Sequence, residues 1–239
     1  MKIEGPLLKA EFVDRPNRFV TKIKINNQII NSHLPDPGRL KELLVKGARL
    51  YVRPAPNSSK RKTKFSTILV KHKNQLISLD STLPNRFVKY AIINKELPMF
   101  KNFKLLRPEI PVGNHRFDFL LLDPENQKYY LEVKSVTFVD NKVAKFPDAV
   151  TERGKKHALA LKKLVQKGQR AGILFVCQRS DAYSFTPMWE RDYALAKAVF
   201  DAHSQGVDIW CITLNVNVTK IRFCREIPVN LKFVSKHKA

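Results

Sequence analysis

Three ionisable residues stand out because they interrupt two apolar segments that a turn sequence connects. Asp118 lies in HRFDFLLL, Glu132 and Lys134 lie in KYYLEVKSVTF, and the residues between the two segments read DPENQ. Both segments are typical of β-strands, and DPENQ favours a tight connection between them. Successive side chains of a strand point to opposite faces, so Glu132 and Lys134 share one face of the predicted hairpin.

The register of this hairpin decides what Glu132 faces. A five-residue turn pairs Leu122 with Lys128, and the ladder then places Asp118 opposite Glu132. Carboxylates held so close repel each other, which raises the pKa of one of them unless a divalent cation lies between them. Two carboxylates, with the remaining ligand positions left to water and phosphate, are typical of a site for Mg²⁺ or Mn²⁺.

Lys134 supplies the third chemical group of this pattern. An ammonium beside such a metal could orient or help to deprotonate a water molecule, or stabilise charge that grows on a phosphoryl group. Together the three residues predict metal-assisted hydrolysis of a phosphodiester. The alternative is an ordinary strand, because neighbouring Glu and Lys side chains usually form a weak surface ion pair.

Two further carboxylates are candidates for the same site. Glu152 lies in TERGKKH, at the start of a predicted helix. It either interacts with the helix dipole, with Asp148 as a possible cap, or supports the metal and its water while Arg153 reaches a phosphate. Glu109, in RPEIPVG, is another candidate metal ligand. His157 is equally consistent with a helix-face residue and with a catalytic one.

The charge of the chain indicates the kind of partner. Its 239 residues include 44 Lys and Arg against 21 Asp and Glu, which gives a formal net charge of +23. Such an excess favours polyanionic partners, because binding releases their counterions, and nucleic acid is the first expectation. An anionic membrane, or a basic surface that serves only solubility, are the alternatives. With 44% hydrophobic residues, the chain is expected to be globular.

The cysteines and the N-terminus indicate the compartment. Cys177, Cys211 and Cys224 are far apart and odd in number, so neither a zinc site nor a disulfide framework is expected. The N-terminal MKIEGPLLKAEF has no apolar signal core, and no segment is long and apolar enough to cross a bilayer. We therefore expect a cytoplasmic protein without a membrane partner.

The first 80 residues predict an all-β domain. Strands are expected in LLKAEF, RFVTKIKI, QIINSHL, ARLYVRP, FSTILVK and NQLISLD, and a brief helix in GRLKELLVKG. Short strands at this spacing with one inserted helix favour a small closed barrel of the OB type. The densest basic run, SSKRKTK, falls in a loop that either contacts phosphates or is simply solvated.

From Leu83 the pattern changes to longer elements that alternate in type. Helices are expected in LPNRFVKYAIINKEL, AVTERGKKHALALKKLVQKG and WERDYALAKAVFDAHSQG, and strands after the hairpin in AGILFVC and VDIWCITLNV. Strands joined by helices imply parallel crossovers in an α/β sheet, with the apolar AGILFVC at its centre. We predict two domains, 1–82 and 83–239.

The chain resembles the sugar fermentation stimulation protein family over nearly its whole length. The matching segments are RFVTKI, HLPDPGRLKELL, HRFDFLL, LEVKSVT and, above all, FPDAVTERGKKH. The resemblance implies an N-terminal OB-like barrel followed by a PD-(D/E)XK nuclease-like mixed sheet flanked by helices, and it carries the nuclease motif onto Asp118, Glu132 and Lys134. It also implies non-specific DNA binding. The family's name adds a regulatory role in sugar (maltose) metabolism, although no residue argues for sugar binding. Many relatives have Asn-Thr-Gly where this chain has Asp36, Pro37 and Gly38, so this turn carries an added negative charge.

These observations favour a DNA-binding protein with a metal-dependent nuclease site and little sequence specificity, acting on single or double strands. The residues expected to hold the phosphate backbone are Arg18, Lys22, Arg39, Lys60, Arg61, Lys62, Lys64 and Arg153. One alternative is a binding or regulatory protein that keeps the nuclease-like fold without catalysis. Another is a structural protein with an incidentally basic surface. The choice between DNA and RNA and the oligomeric state stay open.

Overall fold

Six short strands form the N-terminal part of the protein. The structure is a computed structural model that describes residues 1–56 and 61–233. The strands are β1 (Leu8–Asn17), β2 (Val20–Ile25), β3 (Gln28–His33), β4 (Arg49–Pro54), β5 (Phe65–His72) and β6 (Gln75–Ser78). They lie in the order β3-β2-β1-β4-β5-β6, and β3 also pairs with β5. This last pairing closes five strands into a barrel, which confirms the predicted OB-like domain.

The barrel follows from the alternation of its strands. In β2, Thr21 and Ile23 are buried while Lys22 and Lys24 are exposed. The Asn26-Asn27 turn between β2 and β3 has positive φ at both residues, as a tight hairpin requires. The inward side chains form a closed core, which includes Phe12, Ile23, Leu34, Leu50, Val70 and Ile77.

The helix predicted in GRLKELLVKG is wrong. Leu40 has a left-handed φ of 51°, and only a single turn forms, in which the backbone N–H groups of Leu43 and Leu44 bond to the Leu40 carbonyl. The segment then joins the barrel, because Gly47 and Ala48 pair with the backbone of Phe12. Leu40 and Leu43 are buried in the barrel core, so their helix-like spacing reflects tertiary packing.

A second, mixed sheet forms the rest of the protein. Helix α1 (Leu83–Ile93) and a 3₁₀ turn (Pro98–Phe100) lead into it. Its strands are β7 (Lys104–Val112), β8 (His115–Leu122), β9 (Lys128–Val136), β12 (Arg170–Cys177), β14 (Asp208–Val216) and β15 (Ile221–Ile227). Strands β9, β12 and β14 are parallel, with β12 in the centre as predicted, and the order is β15-β14-β12-β9-β8-β7.

Helices cover this sheet on both faces. Helix α2 (Glu152–Gln166) and helix α3 (Tyr193–Ser204) pack on one face through residues that include Phe117, Leu161, Phe175, Leu195 and Val199. Helix α1 and barrel strand β5 pack on the other through residues that include Ile68, Phe87, Leu131, Leu174 and Ile212. A small sheet of β10 (Val139–Asp140), β11 (Val143–Phe146) and β13 (Ser184–Pro187) was not predicted.

The barrel and the sheet meet along a polar seam. The carboxylate of Asp148 accepts a hydrogen bond from the Leu40 N–H at 2.9 Å, and Ser81 Oγ donates to the Pro35 carbonyl at 2.6 Å. On the sheet side, Arg191 Nη1 donates to Asp148 Oδ1 at 2.9 Å. The turn after β3 is therefore tied to the loop before α2. In the part of the chain that the structure describes, no helix is both long and apolar enough to span a membrane.

Candidate functional site

The β8–β9 hairpin brings Asp118 and Glu132 together. The ladder pairs Leu122 with Lys128 and continues to the pair Phe119 and Leu131, which confirms the predicted register. Its next step is Asp118 opposite Glu132. Backbone pairing stops there, because the N–H of Val133 donates to Asp118 Oδ2 at 2.7 Å. The carboxylate of Asp118 is thus held against the strand that carries Glu132.

Asp118 is fixed by two donors and perturbed by its surroundings. Asn85 Nδ2, from the first turns of α1, donates to Asp118 Oδ1 at 2.5 Å. Burial and then the negative charge of Glu132 raise the pKa of Asp118 to about 6, against the pull of its two donors and of Lys134. Burial and the neighbouring carboxylate thus both favour the protonated form of Asp118.

Glu132 has the opposite electrostatic character. Its side chain is only 4% exposed, and burial alone would raise its pKa. A hydrogen bond with His157 Nδ1 and the positive charge of Lys134, whose Nζ donates to Oε1 at 2.6 Å, outweigh that effect, so the pKa of Glu132 lies below its ordinary value. Glu132 is therefore held ionised.

Helix α2 positions His157 against Glu132. The helix begins after Thr151, whose Oγ1 accepts a hydrogen bond from the Gly154 N–H at 3.1 Å. The predicted cap, Asp148, is wrong, because its carboxylate bonds to Leu40 and Arg191 across the seam instead. His157 lies one and a half turns into the helix and is buried, with its ring edge-on to Phe117. The sequence left the role of His157 open, and the structure places it in contact with Glu132.

The carboxylates of Asp118 and Glu132 are the candidate ligands of a divalent cation. Glu132 Oε2 is buried and has no hydrogen-bond partner among the described residues. Lys134 supplies one positive charge to this pair of carboxylates, through its contact with Glu132 Oε1. Within the described residues, no three His, Cys, Asp or Glu side chains gather into a metal-holding group. An ion here would use two protein carboxylates and complete its shell with water, backbone oxygens or phosphate, as Mg²⁺ does.

The other predicted acids lie on the surface. Glu109 is 69% exposed, and its carboxylate approaches Arg116 at 3.8 Å. Glu152 is 68% exposed in the first turn of α2 and approaches Lys155 at 3.8 Å. Neither is part of a three-residue group with Asp118 and Glu132. Arg153 is exposed beside Glu152. The pattern of acids along the sequence could not separate these residues from the pair in the hairpin.

Most of the predicted phosphate contacts are exposed on the barrel or at its edge. Those whose side chains are exposed to solvent are Arg18, Lys22, Arg39, Arg61, Lys62 and Lys64. Arg61 Nη1 also donates to Ser66 Oγ at 3.2 Å. The guanidinium of Arg15 donates to the carbonyls of Arg18 and Arg39 at 2.9 and 2.7 Å, which holds these two residues near each other. Lys60 lies outside the described residues.

Asn85 is the residue of the site that the sequence did not reveal. It lies in LPNRF, where the apolar residues carry the helical pattern. That pattern predicts the helix but assigns no role to Asn85. Its contact joins α1 to β8 over a separation of 33 residues, which only the folded arrangement brings about. No spacing rule connects such a residue to Asp118.

Two family models match the chain. The model of the SfsA N-terminal OB domain matches residues 13–79, and the model of the sugar fermentation stimulation protein RE domain matches residues 82–220. The chain belongs to the sugar fermentation stimulation protein family. This confirms the resemblance seen in its sequence.

Relatives in this family match nearly the full chain. A sugar fermentation stimulation protein homolog from Clostridium novyi is 43% identical over 231 residues, which cover 97% of this chain and 100% of that protein. A homolog from Acetivibrio thermocellus is 41% identical over 235 residues, with the same coverage. The solved structure of Pyrococcus furiosus SfsA in complex with Ca²⁺ is similar with a TM-score of 0.87 and 26% identity, over 96% of this chain and 98% of that chain. The two-part architecture is therefore that of the family.

Proposed function

We propose that this protein binds DNA and hydrolyses its phosphodiester bonds with the help of a divalent cation. The observation that carries the proposal is the pair of facing carboxylates, Asp118 and Glu132, with Glu132 Oε2 buried and without a partner among the described residues. A soluble protein rarely leaves a buried carboxylate oxygen unpaired unless the site serves an ion or a reaction. The hairpin therefore favours a metal site over a surface ion pair.

The residues of the site have distinct roles in this proposal. Asp118 and Glu132 would hold Mg²⁺ or Mn²⁺, which when bound would activate a water molecule and neutralise charge on the phosphate. Lys134 would orient that water or stabilise negative charge on the phosphoryl oxygens. Asn85 and His157 keep the two carboxylates in place through hydrogen bonds to Asp118 Oδ1 and Glu132 Oε1. The Ca²⁺ in the Pyrococcus furiosus structure supports divalent-cation binding in a relative.

The barrel would supply most of the affinity for the DNA. The net charge of +23 favours nucleic acid, and the exposed basic residues of the barrel are suited to phosphates. We propose that residues 1–82 bind and that residues 83–239 hydrolyse. Little sequence specificity is expected, because contacts to phosphates carry no base information. Any connection with sugar metabolism rests on the family's name.

The test is a cleavage assay on the full chain. Single- and double-stranded DNA and RNA are incubated with Mg²⁺, with Mn²⁺ or with a chelator. We expect cleavage of DNA that needs the metal and that falls at least about 100-fold in Asp118→Asn and in Lys134→Ala. Glu152→Gln is the matched control, since it neutralises an exposed carboxylate nearby, and it should keep cleavage within about threefold.

The outcomes separate the alternatives. Cleavage that survives both Asp118→Asn and Lys134→Ala would place the activity elsewhere or in a contaminant. Binding of DNA without cleavage of any substrate, under every metal condition, would leave a binding or regulatory protein that keeps the nuclease-like fold. Loss of cleavage in Glu152→Gln equal to that in Asp118→Asn would make Glu152 part of the metal shell.

A further inference from the structure

A cavity lies at the seam between the barrel and the sheet, beside the candidate active site. Its volume is about 330 Å³, which is at the lower end of the range of about 300–1,000 Å³ for small-molecule pockets. The barrel contributes Arg18 and the Asp36–Gly38 turn. The sheet domain contributes the end of β9 after Lys134, and the loop that leads to Thr151 at the start of α2. The cavity is sized for one nucleotide.

The lining has the composition of a nucleotide site. Its rim is exposed and carries Arg18, for which no ion pair is found within the described residues, and Lys145, whose contact with Asp140 at 3.0 Å is a partly exposed ion pair. Its walls are apolar, with Phe138, Phe146 and Pro147. Cations at the rim suit a phosphate, and flat apolar walls suit the faces of a base.

Asp36 supplies a buried carboxylate to the lining of the cavity. Its side chain is buried, and its Oδ1 accepts the Gly38 N–H at 2.7 Å, while the described residues offer no hydrogen bond to Oδ2. The other carboxylate of the cavity, Asp148, has both oxygens occupied, by Leu40 and by Arg191. Gly38 keeps the space open, since a Cβ there would lie 2.9 Å from Asp36 Oδ1. Asp36 Oδ2 is therefore the acceptor available to a ligand.

We propose that this cavity binds one unpaired nucleotide of the DNA strand, with its phosphate at Arg18 and Lys145 and an amino-bearing base against Asp36. A carboxylate accepts from the exocyclic amine of a base such as cytosine. Thymine presents two carbonyls around its single N–H, and these repel a carboxylate. The inference rests on the proposed nucleic-acid function and adds to it a preference for the nucleotide next to the candidate hydrolytic centre.

The substitution Asp36→Asn makes the direction of this preference testable. The amide oxygen of the variant must keep accepting from the Gly38 N–H, so its NH₂ group replaces Oδ2 as the group facing the cavity. An acceptor becomes a donor, and a donor suits the carbonyl oxygen of thymine. The preference between cytosine and thymine should therefore reverse.

The experiment titrates the full chain with dCMP and dTMP by calorimetry at low salt. We expect the wild type to bind dCMP about tenfold more tightly than dTMP, and Asp36→Asn to bind dTMP more tightly. Ala149→Trp, which fills the exposed rim of the cavity, should abolish binding of both. Ala194→Trp, at an exposed alanine of α3 outside the cavity, is the matched control and should bind as the wild type does.

A salt-dependent titration with a single strand of about 20 nucleotides runs in parallel and tests the proposed function separately. If the strand binds but neither mononucleotide does, or if Ala149→Trp binds dCMP unchanged, the cavity proposal is overturned and DNA binding stands. Equal affinities for dCMP and dTMP in both wild type and Asp36→Asn would also overturn it. Binding of dCMP that Ala149→Trp abolishes, without binding of the strand, would support the cavity and sink the proposed function.

Discussion

At the scale of single residues, Asp118 and Glu132 show how two facing carboxylates acquire different characters. Glu132 is buried and Asp118 is half-buried. Glu132 has Lys134 and His157 as direct partners, whereas Asp118 has only neutral donors. The pKa of Glu132 is therefore lowered, while burial and the charge of Glu132 raise that of Asp118 to about 6. A bound cation would remove the repulsion that this arrangement stores.

Replacing Asp118 by Asn should stabilise the metal-free protein. The raised pKa means that folding penalises the ionised carboxylate. This penalty grows as the pH rises from the ordinary pKa of 3.8 to the raised pKa of about 6, and it is complete above that pH. In Asp118→Asn the amide oxygen keeps accepting from the Val133 N–H, and the NH₂ group donates to Asn85 once the Asn85 amide turns its oxygen towards it. We then expect the free energy of unfolding to rise by about 1–3 kcal/mol near pH 7, and the gain to vanish towards pH 4. Urea unfolding in the presence of chelator at several pH values measures this.

The same variant should lose its response to metal. Excess Mg²⁺ should raise the melting temperature of the wild type, because an ion that binds only the folded state stabilises it, and should leave Asp118→Asn almost unchanged. Glu109→Gln removes an exposed carboxylate and should respond as the wild type does. An equal shift in all three proteins would place the ion outside the hairpin.

At the scale of elements, a short chain of hydrogen bonds fixes the start of α2. Thr151 caps the helix through the Gly154 N–H, and its own N–H donates to Asp192 Oδ2 at 2.9 Å. Asp192 in turn caps α3 through the Leu195 N–H at 3.0 Å. The N-termini of both helices are thus locked together, and α2 is the element that carries His157 to Glu132.

Removing this cap should cost stability in a way that serine can rescue. Thr151→Ala loses the hydrogen bond to the Gly154 N–H, so we expect the free energy of unfolding to fall by about 1 kcal/mol. Thr151→Ser keeps the hydroxyl and should lose less than half of that amount, about 0.5 kcal/mol or less. Urea unfolding compares the three proteins. A serine variant as unstable as the alanine variant would mean that the methyl group, and not the cap, holds the helix.

Some elements of the fold could be predicted from the sequence and others could not. The hairpin register, the parallel strands and the barrel were predictable because alternation and turn chemistry are local signals. The GRLKELLVKG segment was not, since a left-handed Leu40 and docking against Phe12 override its helical spacing. Within the candidate site, the position of Asp118 opposite Glu132 followed from strand alternation and the hairpin register. The contact of Asn85 depends instead on how α1 packs against β8, which no local pattern encodes.

At the scale of the whole molecule, charge and architecture act together. The seam joins the barrel to the sheet through Leu40, Asp148 and Arg191, so the exposed basic side chains of the barrel have a fixed relation to the hairpin. Arg15 strengthens this relation by holding the backbone of Arg18, Asp36 and Arg39. A DNA strand bound on the barrel would therefore reach the carboxylates of Asp118 and Glu132 at a defined place.

The salt dependence of DNA binding tests whether the barrel's basic residues act as phosphate contacts. In a plot of log K against log salt concentration, each phosphate contact contributes a slope of about −0.9 on duplex DNA. We expect Lys22→Gln, Lys62→Gln and Lys64→Gln each to reduce the slope by about 1 and to weaken binding almost equally for all sequences. Fluorescence anisotropy with a labelled duplex of mixed sequence provides the measurement.

Lys163→Gln is the matched control, because it removes the same single charge from an exposed position in the last turn of α2, away from the barrel. Its slope should stay at the wild-type value, since a charge that touches no phosphate releases no counterion from the DNA. If Lys163→Gln lowers the slope as much as Lys62→Gln does, affinity comes from the overall positive charge and the barrel has no special role. If only the barrel variants lower the slope, the barrel is the surface that binds the DNA.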